Sequence, residues 1–218
     1  MGNTKVVRFS FYGIGLLILT LGIASTIVAG VGTSPFDALL VGMSQMVGLT
    51  PGSWEFLVGL GLIGINAIVM KKRLNLLALM TAFLTGAGID FWLLVYGHTW
   101  QPEEMMGQWF VFLAGVVIVG FGISTYLQSR FAPMPLDESM LMLREMFNMK
   151  MWMAKMVLSL MFLILAWLVD GPIWLGTIVV VFLSGPVIGF FYPIMEKFSG
   201  KFETGIEPKP DLKQRESV

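Results

Sequence analysis

Cysteine is absent from the 218 residues. That excludes disulfides, thiolate nucleophiles and thiolate metal sites, and leaves the redox compartment open. Histidine occurs once, as His98, too few for a histidine-based metal cluster. Neither sign of charge is in excess: 14 basic and 14 acidic residues give a net charge of zero. No basic surface therefore invites nucleic acid. No nucleophile–base set is visible, so an enzyme is the least expected class, and no cofactor is implied.

What the chain does have is apolar. Hydrophobic residues make up 56% of it, charged residues only 13%, and the mean hydropathy is +0.80. A soluble domain of this size could not hide so much apolar surface, which makes this an integral membrane protein with the lipid bilayer as its first partner. Six stretches, roughly 9–29, 54–70, 74–96, 109–127, 152–169 and 173–192, reach or approach the length that crosses ~30 Å of hydrocarbon. Several carry Trp or Tyr near an end, as an interfacial aromatic belt requires. Lys5 and Arg8 precede the first stretch. That run is too long for the core of a signal peptide and reads as an uncleaved first helix. Lys155, one turn inside the fifth stretch, is expected to snorkel to the headgroups.

The plan is written twice. Ser34-Pro35-Phe36-Asp37 returns as Met134-Pro135-Leu136-Asp137 at an offset of 100 residues, and Gly22-Ile23 returns as Gly122-Ile123. Downstream the match slips by one: Phe83-Leu84-Thr85-Gly86 answers to Phe182-Leu183-Ser184-Gly185. A repeat this long means two copies of a small domain. After each Pro-x-Asp comes a short apolar or amphipathic segment, 36–47 and 136–147. Each covers only ~18 Å as a helix, too little to span. If neither crosses, all 14 basic residues fall on one side of the membrane. The positive-inside rule then puts both termini in the cytoplasm. Three crossings per copy is an odd number, so the second copy enters the membrane upside down.

The expected fold is therefore an all-α membrane protein. It has six transmembrane helices as a 3+3 inverted repeat, with a short non-spanning or re-entrant helix in each repeat. The first repeat occupies 1–97, an external loop 98–108, the inverted second repeat 109–196 and a disordered cytoplasmic tail 197–218.

Ser34, Pro35 and Asp37 make a good helix start: a capping hydroxyl, a proline at the first position and an acid facing the dipole. Gly30-Val31-Gly32-Thr33 before it should be non-helical, long enough to return from the outer surface towards mid-membrane. Two inverted hairpins would bring two helix starts towards the midplane. Helix starts attract anions, whereas Asp37 and Asp137 favour a cation or a proton; a simple interfacial cap is the structural alternative. Asp90, an acid inside an apolar span, is a candidate by the same cost argument, although it could also reach water. Asn66 is expected to bond between helices. Glu55 is expected at the outer mouth in water. The glycines at 59, 61 and 64, and at 115, 120 and 122, are expected to pack helices closely. Gly185-Pro186 is expected to kink or break the last helix, with Gly86-Ala87-Gly88 as a flexible counterpart. The 17 methionines read as adaptable packing.

Gly32-Thr33-Ser34-Pro35-Phe36-Asp37, followed by Gly48-Leu49-Thr50-Pro51-Gly52, resembles the bacterial YczE/YitT-type integral membrane proteins. Phe36 stands where many relatives would have Trp. The resemblance implies a multi-pass protein of the bacterial inner membrane and supplies no substrate or catalytic residue. The leading functional expectation is a small secondary transporter or permease-like protein binding an unidentified small solute between its repeats. Its candidate substrate-binding residues are Thr33, Ser34, Asp37, Asp137, Asp90 and Asn66. A lipid-headgroup translocating protein and a non-transporting membrane scaffold are the alternatives, and Gly-rich faces would allow a homo-oligomer.

Overall fold

The computed structural model describes residues 2–71, 73–99, 102–131 and 133–202. Its elements are all helices: α1 Gly2–Val28, α2 Pro35–Val47, α3 Pro51–Met70, α4 Leu76–Thr99, α5 Met105–Leu127, α6 Pro135–Phe147, α7 Met151–Leu168 and α8 Leu175–Phe202. Six of these, α1, α3, α4, α5, α7 and α8, are long and apolar enough to cross a membrane. The other two, α2 and α6, have 13 residues each. Four helices in the order long, short, long, long are thus followed by four in the same order.

Local chemistry explains the boundaries. The Ser34 hydroxyl accepts the Asp37 N–H at 3.2 Å with Pro35 in the first helical position, which starts α2. Thr50 and Pro51 start α3 in the same way, the Thr50 hydroxyl accepting the Ser53 N–H at 3.1 Å. Helix α6 begins at Pro135 without a side-chain cap, since Met134 stands at that place. The chain turns back before α2 through Gly30 and Gly32, with φ of 71° and 101°. Only glycine fits comfortably at 32: the conformation is left-handed, and a Cβ there would lie 2.9 Å from the Thr177 hydroxyl. The first half of α2, Pro35 to Gly42, is buried, while its last residues are exposed. This is the burial gradient of a segment whose tip enters the protein.

Helices α1 and α5 form the central pair. A Cβ added at Gly22 would meet the Val119 backbone nitrogen at 2.6 Å, and one at Gly122 the Leu19 nitrogen at 2.5 Å, so these two backbones touch. Helix α4 flanks α1 and α8 flanks α5. The short helices cross over: α2 packs on α7 as well as on α3, and α6 on α3 as well as on α7. A core of Phe36, Leu39, Leu40, Leu62, Leu158 and Phe162 joins them, with the Phe36 and Phe162 rings edge to face at 4.9 Å.

Several expectations are corrected. Helix α8 runs unbroken through Pro186 and Pro193. The expected break at Gly185-Pro186 is absent, as happens where neighbouring groups re-satisfy the backbone acceptor that a proline leaves free in a membrane helix. Residues 86–88 are likewise helical. Residues 197–202, expected in the tail, still belong to α8, and 203–218 lie outside the described residues, as do Trp100 and Gln101 of the expected external loop. The first glycine cluster packs only in part. Gly59 faces Ala82, while Gly61 and Gly64 face open space. Glu55 does not stand at an open mouth: it is 3% exposed, beside Gly86 of α4.

Candidate functional site

Thr33, Ser34 and Asp37 come together as expected. Thr33 is wholly buried and its hydroxyl pairs with that of Thr26 on α1 at 2.9 Å. The Ser34 hydroxyl, besides capping α2, donates to Asp37 Oδ2 at 2.6 Å. Asp37 is 8% exposed. It sits in a helix that does not span, and burial raises its carboxyl to about 6, against the lowering effect of the Ser34 and Thr33 hydroxyls. Glu55, on the first turn and a half of α3, feels the charge of Asp37. Two acids therefore share one buried corner.

Ser34, Asp37 and Thr26 line a cavity of about 30 Å³ whose far wall is Gly120, Val180, Ser184 and Ile188, from α5 and α8. Such a space holds about one water-sized occupant. The cavity lies between helices of the two halves, and Ser184 links it to the second one: Lys155 Nζ on α7 donates to the Ser184 hydroxyl at 3.1 Å. Lys155 also acts electrostatically on Asp137. Asp137, at the start of α6, accepts the Tyr126 hydroxyl proton in a 2.6 Å bond. Each short helix thus begins with an aspartate held by a hydroxyl, and each aspartate feels a second charged group on the following long helix.

Asn66 and Asp90 stand apart from this cluster. Asn66 is buried and bonds to Ser139 Oγ at 3.0 Å and to the Pro135 carbonyl at 3.4 Å, which ties α3 to the start of α6. It is an interhelical tie, as expected for an intramembrane amide. Asp90 caps a neighbouring helix. Its Oδ1 accepts the Gly52 N–H at 2.8 Å and its Oδ2 the Thr50 hydroxyl at 2.5 Å. Gly52 and Gly86 let α3 and α4 close at this point, since a Cβ on Gly52 would fall 2.0 Å from the Gly86 carbonyl oxygen. A second cavity, about 340 Å³ and more open, lies between the end of α3, the start of α4 and α6. Its polar lining is Asn66, Arg73, Asn75, Glu138 and Glu145, with the Asn75 amide donating to Glu138.

Five residues of the cluster escaped the sequence reading as site residues: Thr26, Glu55, Tyr126, Lys155 and Ser184. The signal for two of them was in the numbering. The 100-residue offset that pairs Asp37 with Asp137 also pairs Glu55 with Lys155. A charge-reversed pair does not show in a search for identical residues.

The chain matches the model of a family of unknown function, DUF6198, over residues 6–193. It is 44% identical over 190 residues to the uncharacterized protein YyaS of Bacillus subtilis, covering 87% of this chain and 94% of that one. It is 31% identical to the uncharacterized membrane protein YczE of the same organism, covering 88% and 89%. An uncharacterized protein of Haemophilus influenzae is 22% identical over 84% of this chain and 82% of its own. No solved structure matches. The chain belongs to the DUF6198 family and is a YczE-type, multi-pass membrane protein.

Proposed function

We propose that this member of the DUF6198 family is a small secondary carrier, built as two inverted repeats, whose solute binds where the starts of α2 and α6 approach the centre of the protein. The observation that carries the reading is the polar cluster shared by the two halves: Asp37, Ser34 and Thr26 on one wall of a cavity and Ser184, bonded to Lys155, on the other. Buried ionisable groups in a membrane protein are costly and mark pathways. Non-helical backbone such as residues 30–34 is tolerated at membrane depth only inside protein or beside a cavity. The crossed packing of α2 on α7 and α6 on α3 suits a two-fold relation between the halves, and alternating access would rock one half against the other. At about 30 Å³ the cavity is closed down to water size, so the structure suits an occluded state and the solute enters by widening it.

A second reading has its own support. Helices α7 and α8 lack the close packing of α3 and α4, and exposed Lys155 lies in that seam. A cation at an open lateral seam could lead anionic lipid headgroups along a polar groove.

Sealed proteoliposomes separate the two. The carrier reading expects uptake of a small solute from a metabolite panel, impaired in Asp37→Asn and Asp137→Asn protein that remains folded. The lipid reading expects scrambling of fluorescent anionic lipid, impaired by Lys155→Met. If both aspartate variants fold and take up solute with unchanged pH and cation dependence, those aspartates are caps and the binding-centre reading fails.

A further inference from the structure

The larger cavity, about 340 Å³, lies apart from the polar centre, and the two linings share no residue. Helix α3 supplies one wall: Ile63, Asn66, Ala67 and Met70 recur at three- and four-residue spacing and so stand on one face. Helix α6 supplies another with Glu138, Leu141 and Glu145, again one face, the two acidic positions about 10 Å apart along the axis. The turn between α3 and α4 adds Arg73 and Asn75. Asn66, bonded to Ser139 Oγ and the Pro135 carbonyl, ties the α3 and α6 walls together.

Glu138 is held in place. The Asn75 side chain caps α4, its Oδ1 accepting the Ala78 N–H at 3.2 Å, and its amide donates to Glu138 Oε1. Among the described residues, no ion pair joins Arg73 to Glu138 or Glu145. The lining thus offers both signs of charge, uncommitted to each other, beside an apolar strip of Ile63, Ala67, Met70 and Leu141.

The corresponding place in the first half is shut. By the 100-residue offset, Glu138 answers to Ala38, Met142 to Gly42 and Lys71 to Gly171. There α2 lies directly on the turn after α7. A Cβ on Gly171 would fall 2.3 Å from the Ala38 carbonyl oxygen, and one on Gly42 2.7 Å from the Val169 carbonyl oxygen. Small residues close this corner, so packing does not require it to be open. The second half puts a carboxylate and a long side chain at the places of Ala38 and Gly42, and its corner is a cavity.

We propose that this cavity binds a zwitterion: a primary ammonium and an anionic group on a compact apolar body, as in an apolar amino acid or the ethanolamine headgroup of a phospholipid. Glu138 receives the ammonium, and Arg73 turns its fork of N–H donors to the carboxylate or phosphate. The apolar strip covers the body. A simple cation would leave Arg73 unmatched, and a simple anion would meet two carboxylates against one guanidinium. A volume of about 340 Å³ is at the lower end of small-molecule pockets. The site does not rest on the carrier reading, because its test reads binding to the resting protein.

The test is isothermal titration calorimetry on the purified full-length protein in phosphatidylglycerol nanodiscs. The probes are leucine, isopentylamine, which lacks its carboxylate, and 4-methylpentanoate, which lacks its amine. Leucine should bind, and each analogue should bind about tenfold more weakly or worse, as loss of a charged hydrogen bond implies. Glu138→Ala, which copies the first half, should weaken leucine by a similar factor and erase its advantage over 4-methylpentanoate. Arg73→Gln should erase its advantage over isopentylamine. Ala67→Trp, which fills the cavity and leaves every charge in place, should abolish binding. Adding phosphatidylethanolamine to the nanodiscs tells the two sources apart: displacement of leucine assigns the site to the headgroup, and undiminished binding assigns it to the free solute. Lack of leucine binding by the unmodified protein overturns the proposal. So does equal binding of either analogue, or an affinity that survives both Glu138→Ala and Ala67→Trp in protein shown to be folded by circular dichroism and size exclusion. The probe series on the unmodified protein reports even where a variant misfolds. Solute uptake, measured separately in proteoliposomes, tells failure of the carrier reading from failure of this site.

Discussion

Replacing Asp90 by alanine should weaken the fold and spare the polar centre. The carboxylate of Asp90 on α4 holds two donors at the start of α3: the Gly52 N–H at 2.8 Å and the Thr50 hydroxyl at 2.5 Å. A hydrogen bond to a charged group contributes ~1.5–3 kcal/mol. The two losses are not equal. The Thr50 hydroxyl is exposed and keeps Ser53 as a partner at 2.7 Å, so its share is small. Gly52 is buried, and its N–H would be left as an unsatisfied first-turn donor. The expected total is ~2 kcal/mol, near the upper end of what loss of an N-cap costs and about a thirtyfold change in the folded-to-unfolded ratio. Asp90→Asn keeps one acceptor for Gly52 and should lose about half of that. The assay is reversible unfolding in mixed detergent micelles, followed by circular dichroism. A Thr50→Ala, Asp90→Ala double-mutant cycle should show coupling of ~1 kcal/mol or less. If Asp90→Ala unfolds within ~0.5 kcal/mol of the unmodified protein, the assignment as a cap fails. If it also abolishes solute uptake at unchanged stability, Asp90 belongs to a binding site after all.

The α1–α5 seam predicts a contrast between glycines. Gly122→Ala should destabilise by ~1–3 kcal/mol, because its Cβ would lie 2.5 Å from the Leu19 backbone nitrogen. Gly61→Ala, which meets nothing within 4 Å, should instead be neutral or stabilise by up to ~1 kcal/mol through helix propensity; equal effects in the same unfolding assay would refute the backbone-contact account. For topology, single cysteines in this cysteine-free chain should be labelled from outside intact cells at position 103 and not at position 73. Outside labelling at 73 would show that a short helix crosses the membrane.

The spans were legible because a membrane imposes one strong requirement, a long apolar run, and charge punctuates it. The short helices were legible from chemistry local to the chain: Ser34, Pro35 and Asp37 specify a helix start whatever surrounds it, and the structure begins α2 at Pro35. Residue type alone says less about Glu55 and Asp90, whose surroundings are set by what comes near from elsewhere in the chain. Glu55 is buried beside Gly86, where α3 closes on α4. Asp90 has its donors 38 and 40 positions away, on a different helix. Pro186 does not end α8, which runs on to Phe202.

The same distinction bears on how the two halves differ. Where they agree in residue, at Pro35 and Pro135 or Asp37 and Asp137, the shared feature starts a helix, and structure alone accounts for it. Tyr126 holds Asp137 while Ser34 holds Asp37, so each aspartate has a hydroxyl partner, from a different element. The partner charges, Glu55 and Lys155, are opposite in sign. A two-fold arrangement of identical acids would place equal demands for positive charge on both halves. Reversing one charge sets a cation beside Asp137 in the second half, and the bond from Lys155 to Ser184 brings that cation to the wall of the cavity that faces Asp37.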